Sequence, residues 1–153
     1  AQIRSRVQKF EIYDIAGKSK EEVEKTVQGF DVIYVTGGNT YYLLEQINHC
    51  DLKSVIIEHQ KNGGIYFGSS AGAIVTGPRI DFVEEMDDPS KTNLENFEAM
   101  NFIDFLFVPH VDHRIFKDKI SKILRDLKKE KETVVALNDN QALLVDGNIV
   151  KIY

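Results

Sequence analysis

Gly68-Ser69-Ser70-Ala71-Gly72 carries the clearest chemistry in this sequence of 153 residues. It lies between the short apolar run Ile65-Tyr66-Phe67 and a small-residue stretch closed by Pro78, so a strand should meet a helix there. In that context Gly-x-Ser-x-Gly makes a nucleophile elbow. The serine is forced into a strained backbone conformation costing of order 1–3 kcal/mol, and a Cβ two residues before or after it would collide across the turn. Gly68 and Gly72 occupy those two positions. The turn lifts Ser70 Oγ off the sheet and leaves the Ala71 N–H free for a developing oxyanion. A tight packing loop of small residues is the competing reading, but both glycines and both flanking elements favour the elbow.

One N–H is half an oxyanion hole. Gly37-Gly38 follows Asp31-Val32-Ile33-Tyr34-Val35-Thr36, a nearly continuous β-branched run that reads as a strand covered on both faces. Neighbouring parallel strands deliver their carboxyl-end loops into one crevice, which makes Gly38 N–H the natural second donor. A phosphate-cradling loop is the weaker reading, because neither a Walker lysine pattern nor Gly-x-Gly-x-x-Gly is present.

A serine hydroxyl needs a base, and histidine is best matched by pKa. His49 and His59 fall inside expected helices, whereas His110 sits just past the carboxyl end of the apolar run Phe105-Leu106-Phe107-Val108. His110 is therefore the expected base and His113 the fallback. The acid that orients the imidazole is left open among Glu84, Glu85, Asp87, Asp88, Asp112 and Asp139, since spacing alone does not choose. His110-x-Asp112-His113 with the acidic loop could supply metal ligands, but that would leave the elbow unexplained. The expectation is no metal and no cofactor.

The elements that must position these groups alternate between strand and helix. Val7 to Ile15 alternates loosely and predicts an edge strand. Ser19-Lys20-Glu21-Glu22 has capping-box spacing and predicts a helix to about Gln28. Tyr41–His49 and Leu52–Asn62 read as helices, Asp81–Glu98 as a long acidic loop, and the spacing of Phe116, Ile120, Ile123, Leu124 and Leu127 as an amphipathic helix. Thr133–Leu137 reads as a strand, and 142–152 as a hairpin turning at Asp146-Gly147. The whole predicts an α/β fold: a mostly parallel, doubly wound sheet with a C-terminal β-hairpin.

Composition narrows the function classes. With 42% hydrophobic and 28% charged residues, 1–153 should form one domain with a continuous core. Nineteen Lys+Arg against 24 Asp+Glu, a net charge of -5, lack the basic excess of a nucleic-acid binder. A single cysteine, no membrane-length apolar run and no signal-peptide pattern in Ala1-Gln2-Ile3-Arg4 predict a reducing cytoplasmic setting with no membrane partner.

Several ordered blocks resemble the peptidase E (aspartyl dipeptidase) and cyanophycinase-like serine peptidases: Val35-Thr36-Gly37-Gly38-Asn39-Thr40, Tyr66 to Ala73, Gly77-Pro78, Pro109-His110, and Ala136-Leu137-Asn138-Asp139-Asn140-Gln141-Ala142-Leu143. The resemblance implies a flavodoxin-like fold related to class I glutamine amidotransferases, with Ser70 as nucleophile, His110 as base, and Gly38 and Ala71 as oxyanion donors. It implies Glu85, before Met86, as the acid where the family has aspartate, with Asp139 as the second choice and Glu85 slightly favoured. Asn39 and Thr40 are expected to position substrate. Family members begin with a further strand–helix unit that these residues do not contain, so the resemblance implies either a sheet without its opening strand or a longer parent chain. The arginine-bearing stretch that follows the histidine in aspartate-specific members is missing, so aspartate preference does not carry over. The expected function is hydrolysis of small peptide or isopeptide amides by a monomer or homodimer. The alternative is a catalytically idle peptide or small-molecule binding module.

Overall fold

The computed structural model describes residues 6–153; the Ala1–Arg4 segment lies outside them. Helix α1 spans Lys20–Val27, and its capping box forms as the spacing predicts. Ser19 Oγ accepts from Glu22 N at 3.3 Å, while Glu22 Oε2 accepts from Ser19 N at 2.9 Å. Strand β1 (Val32–Val35) leads into α2 (Thr40–His49) and α3 (Leu52–Lys61), then β2 (Ile65–Gly68) and the single turn α4 (Ala71–Ile74). After the acidic segment come β3 (Leu106–Val108), α5 (Lys117–Glu130), β4 (Val134–Ala136) and the hairpin β5 (Leu143–Asp146) and β6 (Ile149–Ile152).

Among the described residues the strands pair as three ladders. β1 and β2 are parallel, with Val32 opposite Ile65 and Val35 opposite Gly68. β3 and β4 are parallel, with Leu106 opposite Val134 and Val108 opposite Ala136. β5 and β6 are antiparallel. Parallel pairs joined through helices give the expected α/β, flavodoxin-like class.

The main core gathers Val23 of α1, Ile33 of β1, Tyr41, Leu44 and Ile47 of α2, Leu52, Val55 and Ile56 of α3, and Ile74 of α4. A second cluster packs Ile120, Ile123 and Leu127 of α5 onto Leu106 and Val108. Phe82 and Met86 of the acidic segment touch both clusters.

Three sequence expectations change. Residues 7–15 form no strand, although Tyr13 and Ile15 still pack on the main core. Alternation supplies a face, but a strand exists only where a neighbour completes its ladder, and no described ladder includes these residues. Among the described residues, β1 and β2 are covered on one face only: Ile33 is buried, while Val32 is 47% and Phe67 48% exposed. The run is apolar because of its β-branched content, which does not say how many layers cover it. The hairpin turns one residue later than expected, since Asp146 stays in register with Ile149 and leaves Gly147-Asn148 as the loop. Within this loop positive φ, 54°, falls on Gly147 alone, as a type II′ turn requires of its first central residue.

Candidate active site

β2 ends at Gly68, and the chain reverses through Ser69 and Ser70 into α4. Ser70 has φ 53° and ψ −121°, a region non-glycine residues rarely occupy. The turn is held in that shape from several sides. Ser69 N donates to Val35 O at 3.0 Å, and Ala73 N and Ile74 N donate to Ser70 O at 2.9 and 3.0 Å. Tyr66 Oη donates to Gly72 O at 2.5 Å, and burial pushes that phenol's pKa well above its ordinary value. A Cβ on Gly68 would lie 2.4 Å from Gly72 O, and one on Gly72 would lie 2.2 Å from Val35 O. Both glycines are therefore required by backbone approach, as the motif predicts.

His110 follows β3 through Pro109 and is itself at φ 65°. Its Nε2 lies 2.9 Å from Ser70 Oγ, and its Nδ1 lies 2.5 Å from Asp139 Oδ1. Pairing of β3 with β4 brings His110 and Asp139 together: Leu137 N donates to Val108 O at 3.0 Å and Val111 N to Leu137 O at 3.1 Å, zipping the two carboxyl-end loops. The Asp139 turn closes on itself, with Asn138 N donating to Gln141 Oε1 at 3.1 Å and Asn140 N to Asn138 Oδ1 at 2.9 Å. The Phe116 ring lies 5.4 Å from the imidazole centroid at 32° and packs along it. An ionised carboxylate only accepts, so the network assigns the imidazole proton to Nδ1 and leaves Nε2 to accept from the Ser70 hydroxyl.

The Gly37-Gly38 loop touches the same point. A Cβ on Gly37 would meet Ser70 Cβ at 3.0 Å and Oγ at 3.3 Å. Neither Gly38 N nor Ala71 N donates a backbone or side-chain hydrogen bond among the described residues.

The remaining sequence candidates are placed elsewhere. Glu85 Oε1 binds Lys122 Nζ of α5 at 2.5 Å, and that hydrogen bond raises the pKa of Lys122. It is Asp139, not Glu85, that meets His110. Thr40 is 1% exposed, with its N–H and hydroxyl both given to Asp87, so its side chain is not presented to a ligand here. Asn39 caps α2 by accepting from Tyr42 N at 3.0 Å and donates to Asp88 O at 3.1 Å. His113 lies beside His110, 5.9 Å between ring centroids, without reaching Ser70 by any hydrogen bond. Among the described residues no three His, Cys, Asp or Glu converge to hold a metal ion, and no helix is long and apolar enough to cross a membrane. Tyr66, Phe116 and Gln141 also brace the site: Tyr66 and Gln141 lie inside the quoted motif blocks and Phe116 opens the helical spacing that predicts α5, signals that mark fold position but not a role at the site.

The chain as a whole has counterparts among known proteins. The model of Peptidase family S51 matches residues 6–153. The chain belongs to peptidase family S51. Family relatives include an uncharacterized peptidase of Listeria innocua, 36% identical over 138 residues, which span 90% of this chain and 66% of the relative. An uncharacterized peptidase of Pasteurella multocida is 33% identical across 88% of this chain and 65% of its own length. Peptidase E of Shewanella baltica is 34% identical across 63% of this chain and 40% of its own. The chain thus spans about two thirds of the Listeria and Pasteurella proteins. Among solved structures, a protein of Listeria monocytogenes whose name marks it as a candidate peptidase E superposes with a TM-score of 0.85 at 33% identity. That match covers 94% of this chain and 69% of the other.

Proposed function

We propose that this family S51 chain is a serine peptidase that cleaves small peptide or isopeptide amides through an acyl-enzyme on Ser70. The observation that carries the reading is the unbroken series Ser70 Oγ, His110 Nε2, His110 Nδ1, Asp139 Oδ1, with 2.9 and 2.5 Å between partners. In the proposed reaction Ser70 Oγ attacks the amide carbonyl as its proton passes to His110 Nε2. The carbonyl π electrons become an oxyanion, which accepts from the Gly38 and Ala71 amides. Collapse breaks the C–N bond, and His110 returns the proton to the leaving amine. Water then repeats the sequence on the acyl-enzyme, with His110 again as base, releasing the acid and restoring Ser70. Asp139 holds the Nδ1 proton throughout and stabilises the imidazolium.

The test is a fluorophosphonate probe followed by peptide mass mapping, together with turnover on a dipeptide panel. Labelling at Ser70 and amine release that vanishes in Ser70→Ala support the reading. Absence of both in a folded protein overturns it in favour of the idle binding module.

A further inference from the structure

We propose that Asp87 is the positioning residue of the Gly37–Thr40 loop, holding the Gly38 amide on the developing oxyanion from a place that substrate does not touch; this rests on the hydrolase reading above. Two successive glycines leave the loop more conformational freedom than any other pair would. The β1 ladder fixes one end. At the other, Asp87 Oδ2 accepts from both Thr40 N at 2.9 Å and Thr40 Oγ1 at 2.5 Å.

Thr40 is two residues past Gly38, starts the ten-residue helix α2 and is 1% exposed. Its N–H is one of the donors a helix start cannot satisfy internally, and a carboxylate also complements the positive end of the helix dipole. Two further bonds staple the same segments: Asn39 Nδ2 to Asp88 O at 3.1 Å, and Asn93 N to Glu45 Oε1 of α2 at 2.7 Å. Met86 N and Asp87 N donate to Val83 O at 2.8 and 3.0 Å, which fixes the turn presenting Asp87. Without the carboxylate, a buried hydroxyl and a buried N–H lose their acceptor together, and the Gly-Gly loop loses its anchor. A misdirected oxyanion donor weakens transition-state binding while leaving ground-state binding in place, so kcat falls and KM stays.

The experiment measures p-nitrophenyl acetate hydrolysis and the rate of fluorophosphonate labelling in wild type, Asp87→Ala, Asp87→Asn, Thr40→Val and the charge control Glu84→Gln. For Asp87→Ala the expected loss is about 10- to 100-fold in kcat and labelling rate, the range a displacement near 1 Å brings, with KM within about twofold. Asp87→Asn keeps an acceptor oxygen and should return to within about fivefold of wild type, and Glu84→Gln should stay within about twofold. If Asp87→Ala does not fold, Thr40→Val, which removes the hydroxyl at nearly constant volume, should lose about tenfold in kcat at unchanged KM. Wild type that neither labels nor turns over overturns the hydrolase reading and the role of Asp87 with it. Labelled, active wild type alongside an equally active Asp87→Ala, or a loss confined to KM, overturns the positioning role alone.

Discussion

Ser70 and His110 stand forty residues apart in the chain, meet at 2.9 Å, and both hold left-handed backbone, with φ of 53° and 65°. Each follows the carboxyl end of a parallel strand, and each keeps a conformation that costs an L-residue energy. Strain at two partners of one hydrogen bond places stability and chemistry in opposition.

Ser70→Gly should therefore be more stable than wild type while losing its activity. Glycine relieves a strain of order 1–3 kcal/mol and gives back under 1 kcal/mol in unfolded-state entropy, for a net gain of about 1 kcal/mol. Urea denaturation measures it; a variant less stable than wild type would show that the bend is unstrained. Ser70→Ala should lose activity by a factor near 10⁶ if the three residues act as a unit.

The two carboxylates that the sequence left in competition separate by kinetics. Asp139→Asn should lower kcat by about 10⁴, as when the orienting acid of a serine–histidine pair is neutralised. Glu85→Gln should leave kcat within about threefold, because an exposed ion pair with Lys122 contributes little. The reverse order would return Glu85 to the acid's role.

Gly72→Ala tests the elbow's backbone contact. A methyl 2.2 Å from Val35 O forces β1 and α4 apart, and overpacking of this kind against backbone should cost about 3 kcal/mol or more. Thermal unfolding reads the loss; a shift of only a degree or two would mean that the strand and the turn separate easily.

Alkaline pH should unfold the protein through its buried phenols. Burial, helped by Glu84, Asp81 and Asp87, pushes the Tyr41 pKa from 10.0 up to about 12, and burial raises Tyr66 in the same direction. Between pH 10 and 12 the unfolded chain binds fewer protons than the folded one, so the stability fully present below pH 10 falls as pH rises. Tyr41→Phe should flatten that fall by up to about 2 kcal/mol while leaving Tyr66's share. Urea midpoints at pH 8, 10 and 11.5 measure it, and a parallel curve for the variant contradicts the assignment.

Much of the site is legible in the sequence because its parts sit where strands end. Ser70, His110, Gly38 and Ala71 each follow from residue type plus position past an apolar run, and the geometry brings Ser70, His110 and the Gly37-Gly38 loop to one point. The acid was not legible in this way. Glu85 lies in a run of carboxylates, and its bond to Lys122 depends on where α5 passes, which no local spacing records. Thr40 is expected to position substrate; its burial follows from the fold of a loop nearly fifty residues later. The failure of 7–15 to pair has the same origin, since strand formation depends on a neighbour that local alternation does not specify.

Among the described residues the strands form separate parallel pairs, and the site is divided between them. One ladder carries Ser70 and the Gly38 loop, and the other carries His110 and Asp139, each half assembled on its own rails. A small slide of one pair past the other would spare the imidazole–carboxylate couple and open only the serine–imidazole gap. Phe82 and Met86 are wedged between the two greasy clusters that back these halves, so trimming either one should detune turnover from a distance, with every reacting group still in place.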